Sequence, residues 1–165
     1  MTDTNYYPPP AFAFAVAIVP GNPPQQQTAV DAAFQDISGI DPKVEIEEVP
    51  EGGVNNFVHQ LPGVTKHSNL VLKRGYVTIA SSLAQWAEQT VGSSLGSPIQ
   101  TQVLNVSLLG PDAQPLVTWT FQNCWPVKWE VGAFDSSSRE VLTETLEIAY
   151  TTVTRTLNQS SGSSS

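Results

Sequence analysis

The sequence predicts a mainly β fold: a small β-barrel or sandwich of about seven strands with one flanking α-helix. Three observations carry this. Short runs alternate apolar and polar residues and are separated by turn-type residues at hairpin spacing. Only one window, Ile79 to Val91, changes to a helical period. No internal repeat or compositional break divides the 165 residues, a length that suits one domain with a core of its own.

The first strand is FAFAVAIV, with Phe12, Phe14, Val16 and Ile18 on one face and alanines on the other. After the loop PGNPPQQQ come AAFQDISGI and VEIEEV, joined by the turn-like Gly39-Ile40-Asp41-Pro42. NLVLKRGYV reads as a strand with Leu70 and Leu72 opposite Val71 and Lys73. In the helix, Ile79, Leu83, Trp86, Ala87 and Val91 form the apolar side. Ser82 and Gln85 fit a capping box, Thr78 is an earlier possible start, and Gly92 a stop. QVLNVSLLG, a turn at Gly110-Pro111-Asp112, PLVTWTFQN and VKWEV follow. In the last strand, EVLTETLEIAY, Leu142, Leu146, Ile148 and Tyr150 share a face with Glu144, an expected rim or interface position. Residues 1–10 end in three prolines and read as an extended arm, 11–156 as the domain, and 157–165 as a flexible Ser-rich tail.

Only 13% of the residues are charged, against roughly 25% for an average domain. So charge-poor a surface is expected to be covered in part by copies of the same chain. A net charge of −8 argues against nucleic-acid binding, which calls for a basic face. No signal peptide or apolar membrane span is evident, and with one cysteine no intrachain disulfide forms; the expectation is a soluble protein made in a reducing cytoplasm.

Enzyme signatures are absent: there is no phosphate loop, no G-x-S-x-G and no H-E-x-x-H. His59 and His67 lack a fitting third metal ligand and read as solvent- or interface-facing. Cys124, beside Trp125, reads as core rather than as a nucleophile. Trp119, Trp125 and Trp129 read as core anchors, with Pro126 interrupting any single aromatic face. No catalytic residue, cofactor or metal is assigned.

The charges themselves are segregated. VEIEEVPEGG holds Glu45, Glu47, Glu48 and Glu51, whereas LPGVTKHSNLVLKRGYV holds Lys66, Lys73 and Arg74, three of the seven Lys and Arg residues. The four carboxylates sit in no contrasting environments that would separate an acid from a base, so a solvated or interface face is the reading. Gly52-Gly53 and the LPG turn, Pro62-Gly63, bracket a long connection. This suits a projecting hairpin whose acidic limb meets a basic limb, in the same chain or in the next copy.

The order EGG, NNFVHQLPGVTKHSNLVLKRG, a helix carrying Trp86, LNVSLLG, WTFQNCWPVKW and ETLEIAY resembles the contractile-tail inner tube proteins of phage tails and phage-tail-like injection particles, from about Phe12 to Arg155. The resemblance implies a barrel whose copies close into homohexameric rings that stack into a hollow tube. The 48–66 hairpin would then reach the adjacent ring. Gly52, Gly53, Pro62 and Gly63 would shape it, while Glu48, Glu51, Lys66, Lys73 and Arg74 register one subunit on another. It also implies a sheath, a baseplate or hub and other tube proteins as partners, a possible cargo in the lumen, assembly in the cytoplasm, and residence in a virion tail or injection particle. The expanded VPGNPPQQQTAVD loop and the NLVLKRG and WPVKWEV versions leave shaft subunit and baseplate-proximal tube initiator both open. The alternative function is a monomeric barrel that binds a ligand in a Trp-lined pocket.

Overall fold

The computed structural model describes residues 13–19, 30–50, 52–53, 58–75, 81–92, 96, 98–132 and 142–158. Its elements in chain order are β1 (Ala13–Val19), β2 (Val30–Ser38), β3 (Lys43–Val49), β4 (His59–Lys66), β5 (Leu70–Gly75), α1 (Ser82–Val91), β6 (Gln102–Leu109), β7 (Pro115–Val131), β8 (Thr143–Ala149) and β9 (Thr152–Leu157). Seven strands form one antiparallel sheet in the order β6-β1-β2-β5-β8-β7-β9. Because β6 also pairs with β7, six of them close into a barrel and β9 hangs on the outside of β7. Closure satisfies edges that an open sheet would leave exposed.

The closing strand is β7, longer than expected because PLVTWTFQN and VKWEV are one element. Up to Cys124 it pairs with β6, and from Trp125 to Val131 with β8. Between these halves lies a β-bulge: Leu104 faces Phe121 and Gln102 faces Cys124, with Asn123 at φ 52°. The extra residue reverses the alternation, so Phe121 points inward on one side of the bulge and Cys124 on the other. A second irregularity lies between Pro126 and Lys128. The three tryptophans therefore do not act alike. Trp119 and Trp129 pack partly buried against the core, while Trp125 is turned out and 37% exposed, which corrects its reading as a core anchor.

The core is the set of inward residues the alternation implies: Val16, Ile18, Leu70, Leu72, Leu104, Val106, Phe121, Leu146 and Ile148, with Leu83, Trp86 and Ala87 of α1 laid against them. The helix begins one residue before the expected capping box. Ser81 is the N-cap, its hydroxyl accepting from the Ala84 N–H at 3.1 Å. Two further strands, β4 and β9, were not foreseen. Leu157 closes β9, and the Asn158 N–H donates to the Leu116 carbonyl, so the sheet reaches into the expected tail.

Two charges lie inside. Arg74 and Glu144 face each other across β5 and β8, both about 5% exposed, with Nε to Oε2 at 2.6 Å. Trp129 donates its indole N–H to the other carboxylate oxygen at 2.8 Å, and the guanidinium lies 4.9 Å from the centre of the Phe34 ring. Glu144 is thus a core residue rather than a rim position. Arg74 is likewise an intrachain partner, which corrects its expected role as a surface docking charge. Burying both ions is expensive in desolvation, and the pair is tolerated because its geometry and the indole bond compensate. It also fixes register, since a one-residue slip of β5 against β8 would leave both charges alone. Glu144→Ala is expected to lower unfolding free energy by about 3–5 kcal/mol, whereas Arg74→Met with Glu144→Leu retains most of the stability. Urea unfolding decides this; a loss below about 1 kcal/mol for the single variant would contradict it.

Candidate assembly interface

β3 and β4 form a two-stranded sheet of their own, separate from the barrel. Both strands are exposed along their whole length. They are carried by the paired ends of β2 and β5, where Ser38 faces Val71, so the arm is the outer half of a long hairpin rooted in the barrel wall. At its tip, Gly53 has φ +106°, a conformation that favours glycine.

Register assigns the faces. Directly opposed residues of an antiparallel pair point the same way. Val44 faces Thr65, Ile46 faces Pro62 and Glu48 faces Gln60, so this face carries an apolar patch of Val44, Ile46 and Pro62, flanked by Glu48 and Gln60. Lys43 faces Lys66, Glu47 faces Leu61 and Val49 faces His59, and Glu45 shares this second, charged face. The two faces stay in step through a bulge in β4 at Gly63-Val64, opposite Glu45. Pro62 and Gly63 therefore lie inside a strand, and the expected LPG turn is corrected. Pro62 is tolerated because each strand of a two-stranded ribbon has one unpaired edge that needs no N–H.

The expected acid–base contact exists within the chain: Lys66 Nζ lies 2.7 Å from Glu45 Oε1. Both side chains are about half exposed or more, so the pair is worth at most about 1 kcal/mol. Apolar exposure is the larger quantity. Ile46 is 61% and Val64 71% exposed, and Val44, Val49, Val58 and Leu61 are all largely open. Fully burying side chains of this size contributes about 1.5–3 kcal/mol each. An isolated two-stranded hairpin is marginal in water, so this ribbon has much to gain from a partner surface.

Of the residues expected at an interface, Glu48, Gly52, Gly53, Pro62, Gly63 and Lys66 come together on the arm. Glu51 lies outside the described residues. Lys73 sits on the barrel wall, exposed, facing Asp36 on β2 and Thr145 on β8. The apolar members were missed, although Val44 and Ile46 alternate with Glu45 and Glu47 in the sequence and so announce a two-faced strand.

The remaining chemistry is dispersed. Cys124 is fully buried, and burial pushes its thiol up to about 12, so at neutral pH it is a protonated core residue. His59 is on the arm and His67 at its root. The described pocket under α1, about 10 Å³, has room for roughly one water and is lined by Phe34, Leu72, Arg74, Leu83, Ala84, Glu144 and Leu146. None of the tryptophans lines it.

At the root of the arm, Asp41 accepts two hydrogen bonds from Ser68, from the N–H at 3.0 Å and from the hydroxyl at 2.8 Å. The hydroxyl bond first, then the backbone bond, hold its carboxyl below the usual value. A carboxyl lowered on folding contributes above its unfolded pKa of about 4 and is lost as pH falls through the lower folded value. The Ser68 amide resonance is therefore expected to be constant above about pH 5 and to move upfield only below about pH 4, with no such step in Asp41→Asn. An unchanged acid step in that variant would contradict it.

Comparison with known proteins agrees with this geometry. The family model described as T4-like virus tail tube protein gp19 matches residues 10–154. A chain in the cryo-EM structure of the anti-feeding prophage (AFP) baseplate, 6-fold symmetrised, is 31% identical, with a TM-score of 0.71 over 87% of this chain and 91% of that one. A chain of the PVC sheath-tube complex, from an extracellular contractile injection system in its extended state, shares the fold at 21% identity and a TM-score of 0.70, covering 96% and 100%. The AFP tube terminating cap contains another, at 22% identity and 0.69, covering 92% and 93%. Comparison with curated protein sequences finds no match. With most of its length matched by the family model, and with a barrel that carries an exposed arm, this chain belongs to the T4-like tail tube protein family.

Proposed function

We propose that the protein is an inner-tube subunit of a contractile injection particle, closing into six-membered rings that stack, and that its layer is the one next to the baseplate. The observation that carries the stacking is the arm: a ribbon with an uncovered apolar face, projecting from a barrel of which it is not a part. Seating that face on a neighbouring ring removes apolar surface from water, while the charged face and Lys73 on the barrel wall set register. Support for the baseplate-proximal layer comes from identity, 31% with the AFP baseplate chain against 21% with the sheath-tube chain and 22% with the cap chain. On this reading the partners are its own copies, a sheath, hub and baseplate proteins and the next tube layer, with any cargo in the lumen. The chain assembles in the cytoplasm and does mechanical rather than chemical work.

Within a ring, sheet edges supply a lateral contact. Among the described residues β9 pairs on one side only, with β7, and its Thr-Val-Thr-Arg-Thr-Leu run has a single charge to discourage strand addition.

Negative-stain electron microscopy with sedimentation tests the proposal. Single six-fold rings that do not elongate are expected from a baseplate layer; long unaided tubes would assign the shaft instead. Val44→Glu with Ile46→Glu is expected to leave barrel unfolding unchanged, as surface substitutions do, while abolishing ring-on-ring contact. Lys73→Glu should weaken stacking more at low than at moderate salt, because exposed charges screen within about 8–10 Å. Normal stacking by the arm variant would sink the docking role.

A further inference from the structure

We propose that the root of the arm is a rigid elbow, built by Gly39, Asp41, His67, Ser68 and Tyr150, that presets the direction in which the arm docks. The inference rests on the reading that the arm bridges rings and adds the residues that aim it.

The need for such a device follows from the topology. β3 and β4 pair with each other and not with the barrel sheet, so no ladder of hydrogen bonds runs from wall to arm. The seven residues of β3 span about 23 Å at roughly 3.3 Å each. A tilt of about 10° at the root would carry the tip about 4 Å, nearly one inter-strand spacing of about 4.8 Å. A free hinge would therefore miss its contact or lose much affinity in ordering the arm.

The elbow removes that freedom in three ways. Gly39 takes φ +90° where one limb passes the other; a Cβ there would lie 1.9 Å from the Asn69 carbonyl oxygen, so only glycine allows the crossing. Just beyond, Asp41 on one limb is tied to Ser68 on the other by two hydrogen bonds of 3.0 and 2.8 Å. Third, Tyr150 links arm to barrel. Only 6% exposed, it meets Phe121 of the core edge-on at 4.9 Å. Its hydroxyl donates to the Gly39 carbonyl at 2.8 Å, and its ring stacks on the His67 imidazole at 3.9 Å and 10°. A continuous chain of contacts thus runs from the centre of the barrel through Tyr150 to the first residues of both limbs. The Asp41–Ser68 clamp and the His67 side of the stack lie beyond the barrel's last paired residues, Ser38 and Leu70, so neither is needed to close it, whereas Tyr150 belongs to the core.

The test separates aim from stability. Cysteines placed at Glu47 on the arm and Glu88 on α1 take spin labels, while buried Cys124, its thiol pushed up to about 12, stays unlabelled. Distances are read in full-length chains diluted into excess unlabelled protein. One narrow distribution is expected. His67→Ala should broaden it and lower ring-on-ring assembly about tenfold at an unchanged barrel unfolding midpoint, and His67→Phe, which keeps the stack, should restore both. Should His67→Ala disturb the barrel, Asp41→Asn with Ser68→Ala makes the same test away from the core. An unbroadened distribution, or normal assembly despite broadening, overturns the elbow. Val44→Glu with Ile46→Glu is run alongside: if it blocks assembly while the elbow variants do not, only the elbow fails, and if both assemble normally the docking reading fails as well.

Discussion

Everything in this fold depends on one strand joining β6 to β8. β7 pairs with β6 along its first half and with β8 along its second, and the sheet closes only because the strand bends between them. The bend is a single extra residue at Asn123, held at a positive φ that asparagine tolerates better than most side chains. It exchanges inside for outside, so Phe121 and Cys124 both reach the core although they are an odd number of residues apart. With the barrel closed, the wall strands have few open edges, and the outer side of β9 is one that remains.

A closed wall also explains why the arm must be separate. A strand pair already satisfied inside a barrel can be extended outward only as a ribbon, which in water has little to hold it. The same isolation that makes the ribbon marginal by itself makes it suited to a partner: among the described residues its apolar patch is exposed. Whether such a ribbon is useful depends on where it points, and the contacts at its root connect that direction to the core.

The segregated charges divide three ways. Lys66 with Glu45 is a surface contact of small energy; Lys73 stays on the wall; Arg74 goes inside to meet Glu144. The last outcome was legible. Leu70, Leu72 and Arg74 share a parity, as do Glu144, Leu146 and Ile148, so period two alone put one charge of each sign on the core face of its strand. What parity does not tell is that β5 and β8 are neighbours, and only that adjacency turns two misplaced charges into a buried pair.

By itself the sequence determined the strands with clear alternation, the single helix and its buried Leu83, Trp86 and Ala87, the core residues and the glycine tip of the hairpin, because these depend on periodicity and local backbone preference. It also carried the family, through motifs in fixed order from the arm to β8. It understated β4, whose Pro62-Gly63 imitates a turn, and β9, whose threonines offer no apolar stripe, because both are held by a neighbour rather than by their own pattern. Tertiary structure alone decided the joining of two runs into β7, the outward turn of Trp125, the faces of the arm and the stacking of His67 on Tyr150. Each is a contact between residues distant in the chain, or a shift of one residue in register, and neither leaves a local trace.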